Sequence, residues 1–171
     1  MDAVKKLENK IGRLFKDVPP LPENSREALV GAWPWIALIF GVIQIFAAWA
    51  LWNLIRVADT VGVMYGSFYV NYPAAISGAD RFIAYFGIVV LLVDAVILLM
   101  AYPELKKRTR RGWDLLFLGA LINVVYSVVS LFIDGRGLGS FIFSAVGSAV
   151  GFYLLYQVRG KYGSVKPKKT K

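Results

Sequence analysis

The stretch FIAYFGIVVLLVDAVILLMAY, residues 82–102, decides what kind of fold this chain has. It carries one formal charge, Asp94, and as a helix rising 1.5 Å per residue it reaches ~32 Å, enough to cross the ~30 Å hydrocarbon core of a bilayer. Three comparable runs surround it: Trp33 to about Ile55, Trp113 to Ile133, and Phe141 to Val158. Only Asp134 to Ser140 separates the last two, a connection so short that these helices must be antiparallel neighbours. The chain of 171 residues is 57% hydrophobic and 18% charged, against about 45–50% hydrophobic in soluble domains, and its charges cluster between the apolar runs. The expected fold is an all-α integral membrane protein: four transmembrane helices in an antiparallel bundle, preceded by a short basic amphipathic helix.

That first helix occupies residues 1–18. Val4, Leu7, Ile11, Leu14, Phe15 and Val18 recur at helical spacing, with Lys5, Lys6, Lys10, Arg13 and Lys16 between them, the pattern of a helix docked on the bundle or lying at the lipid interface. No signal-peptide core occurs in the first thirty residues. Residues 19–32 form a Pro-containing linker and the start of the first membrane helix, with Asn24 and Glu27 spaced as a capping box. Residues 33–158 make the transmembrane domain, in which Pro103 is expected to stop the second helix. Residues 159–171 are a basic tail. Between the first two spans, Val61, Tyr65, Phe68, Tyr69 and Tyr72 fall at helical spacing and suggest a separate interfacial helix in the outer loop.

Positive charge orients the bundle. Basic clusters precede the first span, fill the second connection (Lys106, Lys107, Arg108, Arg110, Arg111) and follow the fourth span, whereas the other two connections hold only Arg56, Arg81 and Arg136. With four spans all three clusters share one side, which the positive-inside rule makes cytoplasmic. Trp33, Trp35, Tyr102, Trp113, Tyr153 and Tyr156 fall near the inner ends as interfacial anchors. The expectation is a multi-pass plasma-membrane protein with both termini cytoplasmic, of a compact design that suits a prokaryote. The net charge of +9 is then mainly topogenic; its expected partners are the bilayer and its anionic lipids, and a second copy or another membrane protein, with no specific nucleic acid.

The chain has no cysteine and no histidine, which removes disulfides, thiol chemistry and ordinary zinc or haem ligation; no metal and no cofactor is expected. Intramembrane proteolysis needs a Ser with His or two Asp at depth, and no Gly-rich phosphate loop occurs, so the chain is expected not to be an enzyme.

Asp94 stands apart. An Asp at a span centre costs ~3 kcal/mol on the insertion scale, which the surrounding Ile, Val, Leu and Phe offset at roughly 0.3–0.6 each. No Lys or Arg lies at its depth, but Gln44, Asn123 and Ser148 do, with Tyr126 and Ser127 one turn from Asn123. These six form a candidate polar midplane layer. On the fourth span Ser140, Ser144, Gly147 and Gly151 form a small-residue face suited to close packing within the bundle. Two roles follow: a structural or assembly component acting through its helix faces, and, as the alternative, a small oligomeric proton-coupled transporter or channel built on Asp94. In span number the chain resembles the small multidrug-resistance exporters, but Gln44 stands on the first span where those carry their essential Glu, so no site residue is carried over.

Overall fold

The structure, a computed structural model, describes residues 2–68, 78–133 and 138–163. Every element among them is helical: α1 (Asp2–Leu14), α2 (Glu23–Phe68), α3 (Gly78–Lys106), α4 (Arg110–Ile133), α5 (Leu138–Val158) and one 3-10 turn, Arg159–Lys161. Over the described residues three segments, Glu23–Met64, Arg81–Lys106 and Arg110–Val129, are long and apolar enough to cross a membrane. The fourth expected crossing falls on α5, a helix of 21 residues whose first turns are partly outside the described side chains. The connection 134–137 and the tail beyond residue 163 lie outside the described residues.

Several boundaries differ from the sequence expectation. α2 runs for 46 residues, ~69 Å of helix, well beyond the 33–55 run. It starts at Glu23 directly after Pro22, whose carbonyl accepts from Arg26 N at 3.1 Å, rather than at an Asn24 cap. Proline fits there because first-turn N–H groups have no intrahelical acceptor. At its far end α2 passes through Val61 without a break, since no proline interrupts residues 55–68, so no separate helix begins there; Tyr69 and Tyr72 lie outside the described residues. Pro103 does not stop α3 either: it sits in the last turn, where its missing N–H forgoes a single bond, and the helix ends at Lys106. Its cap is a Schellman arrangement, with Thr109 N on Glu104 O at 3.0 Å and Arg108 N on Leu105 O at 2.9 Å. Arg108 takes the left-handed position, φ 52°, that glycine usually fills.

α2 and α3 zip together along a heptad seam. On α2 the inward positions are Val30, Ala37, Gly41, Gln44, Ala48 and Ile55; on α3 they are Ile83, Gly87, Asp94, Ala101 and Leu105. Small residues let the backbones approach: a Cβ on Gly41 would lie 3.2 Å from Leu99 and 3.4 Å from the Ala95 carbonyl. Arg81 and Asp59, 2.5 Å apart, join the same pair of helices toward the far end. α4 packs on α3, and α5 on α4 and more lightly on α2.

The core lies at the basic end. Trp113, Phe117, Leu105, Val158, Phe152 and Leu155 are buried together, and Trp113 Nε1 donates to the Leu155 carbonyl at 2.9 Å. Farther along, α5 leaves its neighbours: Ala145, Val146, Gly147, Ala149 and Val150 are exposed, and a Cβ on Gly147 or Gly151 would meet nothing within 4 Å. The close packing expected of this face is therefore not made by Gly147 and Gly151 within the chain, because α5 diverges from α2 there. The side chains of Ser140 and Ser144 lie outside those described.

α1 also departs from its expected face. Glu8, Ile11, Gly12 and Phe15 turn inward, while Leu7, Leu14 and Val18 are exposed. Glu8 is 7% exposed because Arg110 and Arg159 both reach it, the latter at 2.5 Å, and the Tyr156 hydroxyl donates to its backbone carbonyl. Two guanidinium groups offset the cost of burying one carboxylate.

Candidate functional site

Halfway along the bundle, α2 supplies Gln44, α3 Asp94 and α4 Asn123. The heptad spacing that buries Ile83, Gly87, Ala101 and Leu105 carries Asp94 to the same face, where it is 2% exposed. Gln44 shares the seam of Gly41 and Ala48. Opposite them, Gly119 makes room: a Cβ there would lie 2.7 Å from Asp94 Oδ1.

The hydrogen bonds are lopsided. Gln44 Nε2 donates to Asp94 Oδ2 at 2.6 Å and Asn123 Nδ2 donates to the same oxygen at 2.8 Å, Asn123 also reaching the Gly119 carbonyl at 3.0 Å. Asp94 Oδ1 and Gln44 Oε1 are buried and have no hydrogen-bond partner. Among the described residues no Lys or Arg pairs with Asp94. A buried acceptor without a donor is costly, so the site is short of hydrogen on two adjacent groups.

The other midplane candidates take different places. Ser127 donates to the Asn123 carbonyl at 2.9 Å and, like Ser148 on α5, lines the cavity beside Asp94. Tyr126 lies apart: its ring stacks on Phe86 at 6.2 Å, and its hydroxyl occupies the space over Gly87, where a Cβ would meet it at 3.1 Å.

The separation of α5 from α2 leaves a cavity of about 660 Å³. Gln44, Asp94, Asn123, Ser127 and Ser148 form its polar end, and Phe40, Leu98, Leu116 and Phe152 are among its apolar walls. Trp33, about 16 Å along α2 from Gln44, also lines it, and its indole N–H is buried without an acceptor. The volume is in the ~300–1,000 Å³ range typical of small-molecule sites.

The chain matches no protein-family model, no curated protein and no solved structure. Its chemistry must be read from its own residues. Among those described, no three Asp or Glu side chains converge as a metal site would require. The polar end of this cavity offers one carboxylate, two amides and two hydroxyls, a set that binds protons, cations or hydrogen-bond donors.

Glu8, buried between Arg110 and Arg159, was not singled out as a site residue by the sequence pattern. The signal was present: Glu8, Ile11, Gly12 and Phe15 fall at i, i+3, i+4 and i+7, a single helix face. The strong apolar spacing of Leu7, Ile11 and Leu14 masked it.

Proposed function

We propose that the chain is a four-span membrane transporter with both termini in the cytoplasm, in which Asp94 takes up and releases a proton as a small, largely apolar molecule occupies the adjoining cleft. The observation that carries this is Asp94 itself: buried, unpaired by any described cation, with one carboxylate oxygen left without a donor in the wall of a cavity. An ionisable group kept at membrane depth is a functional site by default, since retaining it costs insertion energy. A proton on Oδ1 would supply a donor where two acceptors lack one. At the cavity's other end the Trp33 indole lacks an acceptor, so the cleft favours a guest with an acceptor at one end and a donor at the other. Three basic clusters on one side of four spans support the orientation.

A specific observation also favours the assembly role: Oδ2 draws hydrogen bonds from two other helices, a link that pins α2, α3 and α4. The two readings separate in Asp94→Asn, which keeps the shape and most of the link but cannot cycle a proton. Reconstituted into liposomes with an internal pH-sensitive dye and supplied with a panel of small, largely apolar amphiphiles, the wild-type chain is expected to pass protons under an imposed potential, and Asp94→Asn is not. Equal flux from both proteins, or none above empty liposomes, overturns the transport reading.

A further inference from the structure

A second cavity, about 1130 Å³, lies at the basic end between the start of α2, the α3–α4 turn and the residues that follow α5, with Gly12 of α1 and Phe15 just after it forming part of its wall. Arg26, Arg108, Arg110, Arg159 and Lys161 line it, with Glu23 the one acidic lining residue among those described. Ion pairs hold these side chains in place: Arg26 on Glu23 at 3.0 Å, Arg108 on Glu27 at 3.1 Å, Arg159 on Glu8 at 2.5 Å, Arg110 on Glu8 and Asp114, and Lys161 on Glu23 and Glu27. Five cations thus face four carboxylates, and the carboxylates do not use up the donors. Arg26 Nε, Arg159 Nε and the Tyr162 hydroxyl are buried without an acceptor.

The shortage is the reverse of the one at the midplane. There two acceptors lack hydrogen; here three donors on three cavity-lining residues lack an oxygen. Arg108 adds a second sign of purpose. Its left-handed backbone is unfavourable for a non-glycine residue, yet the position holds an arginine whose side chain lines the cavity.

We propose that this cavity binds a phosphorylated anion, and specifically the headgroup phosphate of an anionic phospholipid. A phosphate is an acceptor-only group with enough oxygens for three donors, and guanidinium forks match its geometry. A lipid source follows from α1. The helix that contributes Gly12 to the cavity presents Leu7 and Leu14 on its exposed surface, 41% and 76% exposed, an apolar edge that fits the acyl boundary beside a headgroup. The acyl chains then continue along the apolar surface of the candidate spans. The lipid source rests on the reading that those spans lie in a bilayer; the anion site itself does not need Asp94.

The full chain in neutral detergent tests this by binding rather than flux, so this proposal and the transport reading fail separately. Native mass spectrometry and a thermal-shift titration compare phosphatidylglycerol, phosphatidylcholine of the same chains, and inorganic phosphate. Retention of phosphatidylglycerol over phosphatidylcholine, not competed by inorganic phosphate, is the expected result. Competition by inorganic phosphate or glycerol phosphate supports the anion site and moves its source to a soluble phosphate. Equal retention of the two lipids with no effect of phosphate overturns the proposal. Arg159→Gln is expected to weaken phosphatidylglycerol binding about tenfold or more, the scale of one charge-assisted hydrogen bond. Tyr162→Phe keeps the packing and serves where Arg159→Gln does not fold; it is expected to weaken binding several-fold while leaving the ligand-free protein at least as stable. Unchanged affinity in Tyr162→Phe together with unchanged affinity in a folded Arg159→Gln or Arg26→Gln protein also overturns it.

Discussion

Replacing Gly119 by alanine tests the midplane geometry with a single methyl group. The added Cβ would lie 2.7 Å from Asp94 Oδ1, about 0.7 Å inside the 3.4 Å at which ordinary contact begins. Asp94 cannot yield freely, because Oδ2 is fixed by Gln44 at 2.6 Å and Asn123 at 2.8 Å. A shift of that size stretches both bonds beyond their useful range. A hydrogen bond to a charged group contributes about 1.5–3 kcal/mol in soluble proteins, whereas side-chain bonds in membrane bundles average ~0.6 and reach ~1.7. Losing the pair therefore costs about 1–4 kcal/mol, against which alanine returns about 1 kcal/mol of helix propensity. A net change from break-even to a loss of about 3 kcal/mol is expected, at least about 1 kcal/mol below a glycine-to-alanine change that meets no neighbour. Gly147→Ala and Gly151→Ala are the controls, since their Cβ atoms meet nothing within 4 Å, and they should be neutral or stabilising by up to about 1 kcal/mol. Unfolding by sodium dodecyl sulfate titrated into mixed micelles, followed by tryptophan fluorescence, measures all three. A double-mutant cycle sharpens the result: in an Asp94→Ala background the clash partner is gone, so Gly119→Ala should lose its penalty. The reasoning is refuted if Gly119→Ala is as stable as the Gly147→Ala and Gly151→Ala controls, or if its cost survives in the Asp94→Ala background.

Tyr162 is 3% exposed, and burial pushes its phenol up to about 12, with Arg108 pulling the other way. An unfolded tyrosine titrates near ~10, so the folded state keeps a proton that the unfolded state gives up: stability is full below about pH 10 and declines, by ~2–3 kcal/mol at most, as pH rises to about 12. Tyr162→Phe should make the high-pH loss of stability smaller and, by removing an unpartnered hydroxyl, gain about 1 kcal/mol near neutrality; detergent unfolding curves near neutral pH and at about pH 11 check both. Because the chain has no cysteine, single substitutions report its orientation: Lys107→Cys and Gly160→Cys should react with an impermeant maleimide from the cytoplasmic side and Thr60→Cys only from the other. Labelling of positions 60 and 107 from one side would contradict the four-span orientation.

Much of this architecture is legible in single segments. The run 82–102 is a helix because nothing in it breaks one, and Asp94 lies inward because it shares a heptad face with Gly87 and Ala101. The same counting put Gln44 and Asn123 at its depth. Tyr126, grouped with them as one turn from Asn123, instead packs on Phe86, because position along a helix says nothing about rotation toward a neighbour. Helix ends were harder to read: Pro103 is absorbed in a final turn of α3, and α2, which starts at Glu23 just after Pro22, runs on past Ile55 because no proline stops it there.

The residue pattern alone shows which segments are helical and apolar, and that a lone carboxylate sits in the middle of one of them. It takes the packing of the helices to show that α5 diverges from α2 to leave a cavity, that Gly147 and Gly151 face open space, that Glu8 rather than Leu7 points inward, and that donors go unpaired at the basic end while acceptors go unpaired at the middle. The reason is physical. In a soluble protein water marks the outer face of each helix with polar residues, but lipid is as apolar as a core, so a valine facing acyl chains and a valine facing another helix leave the same mark in the sequence. Periodicity then orients the polar residues and is nearly silent about the apolar ones, whose packing sets tilt, separation and therefore the cavities.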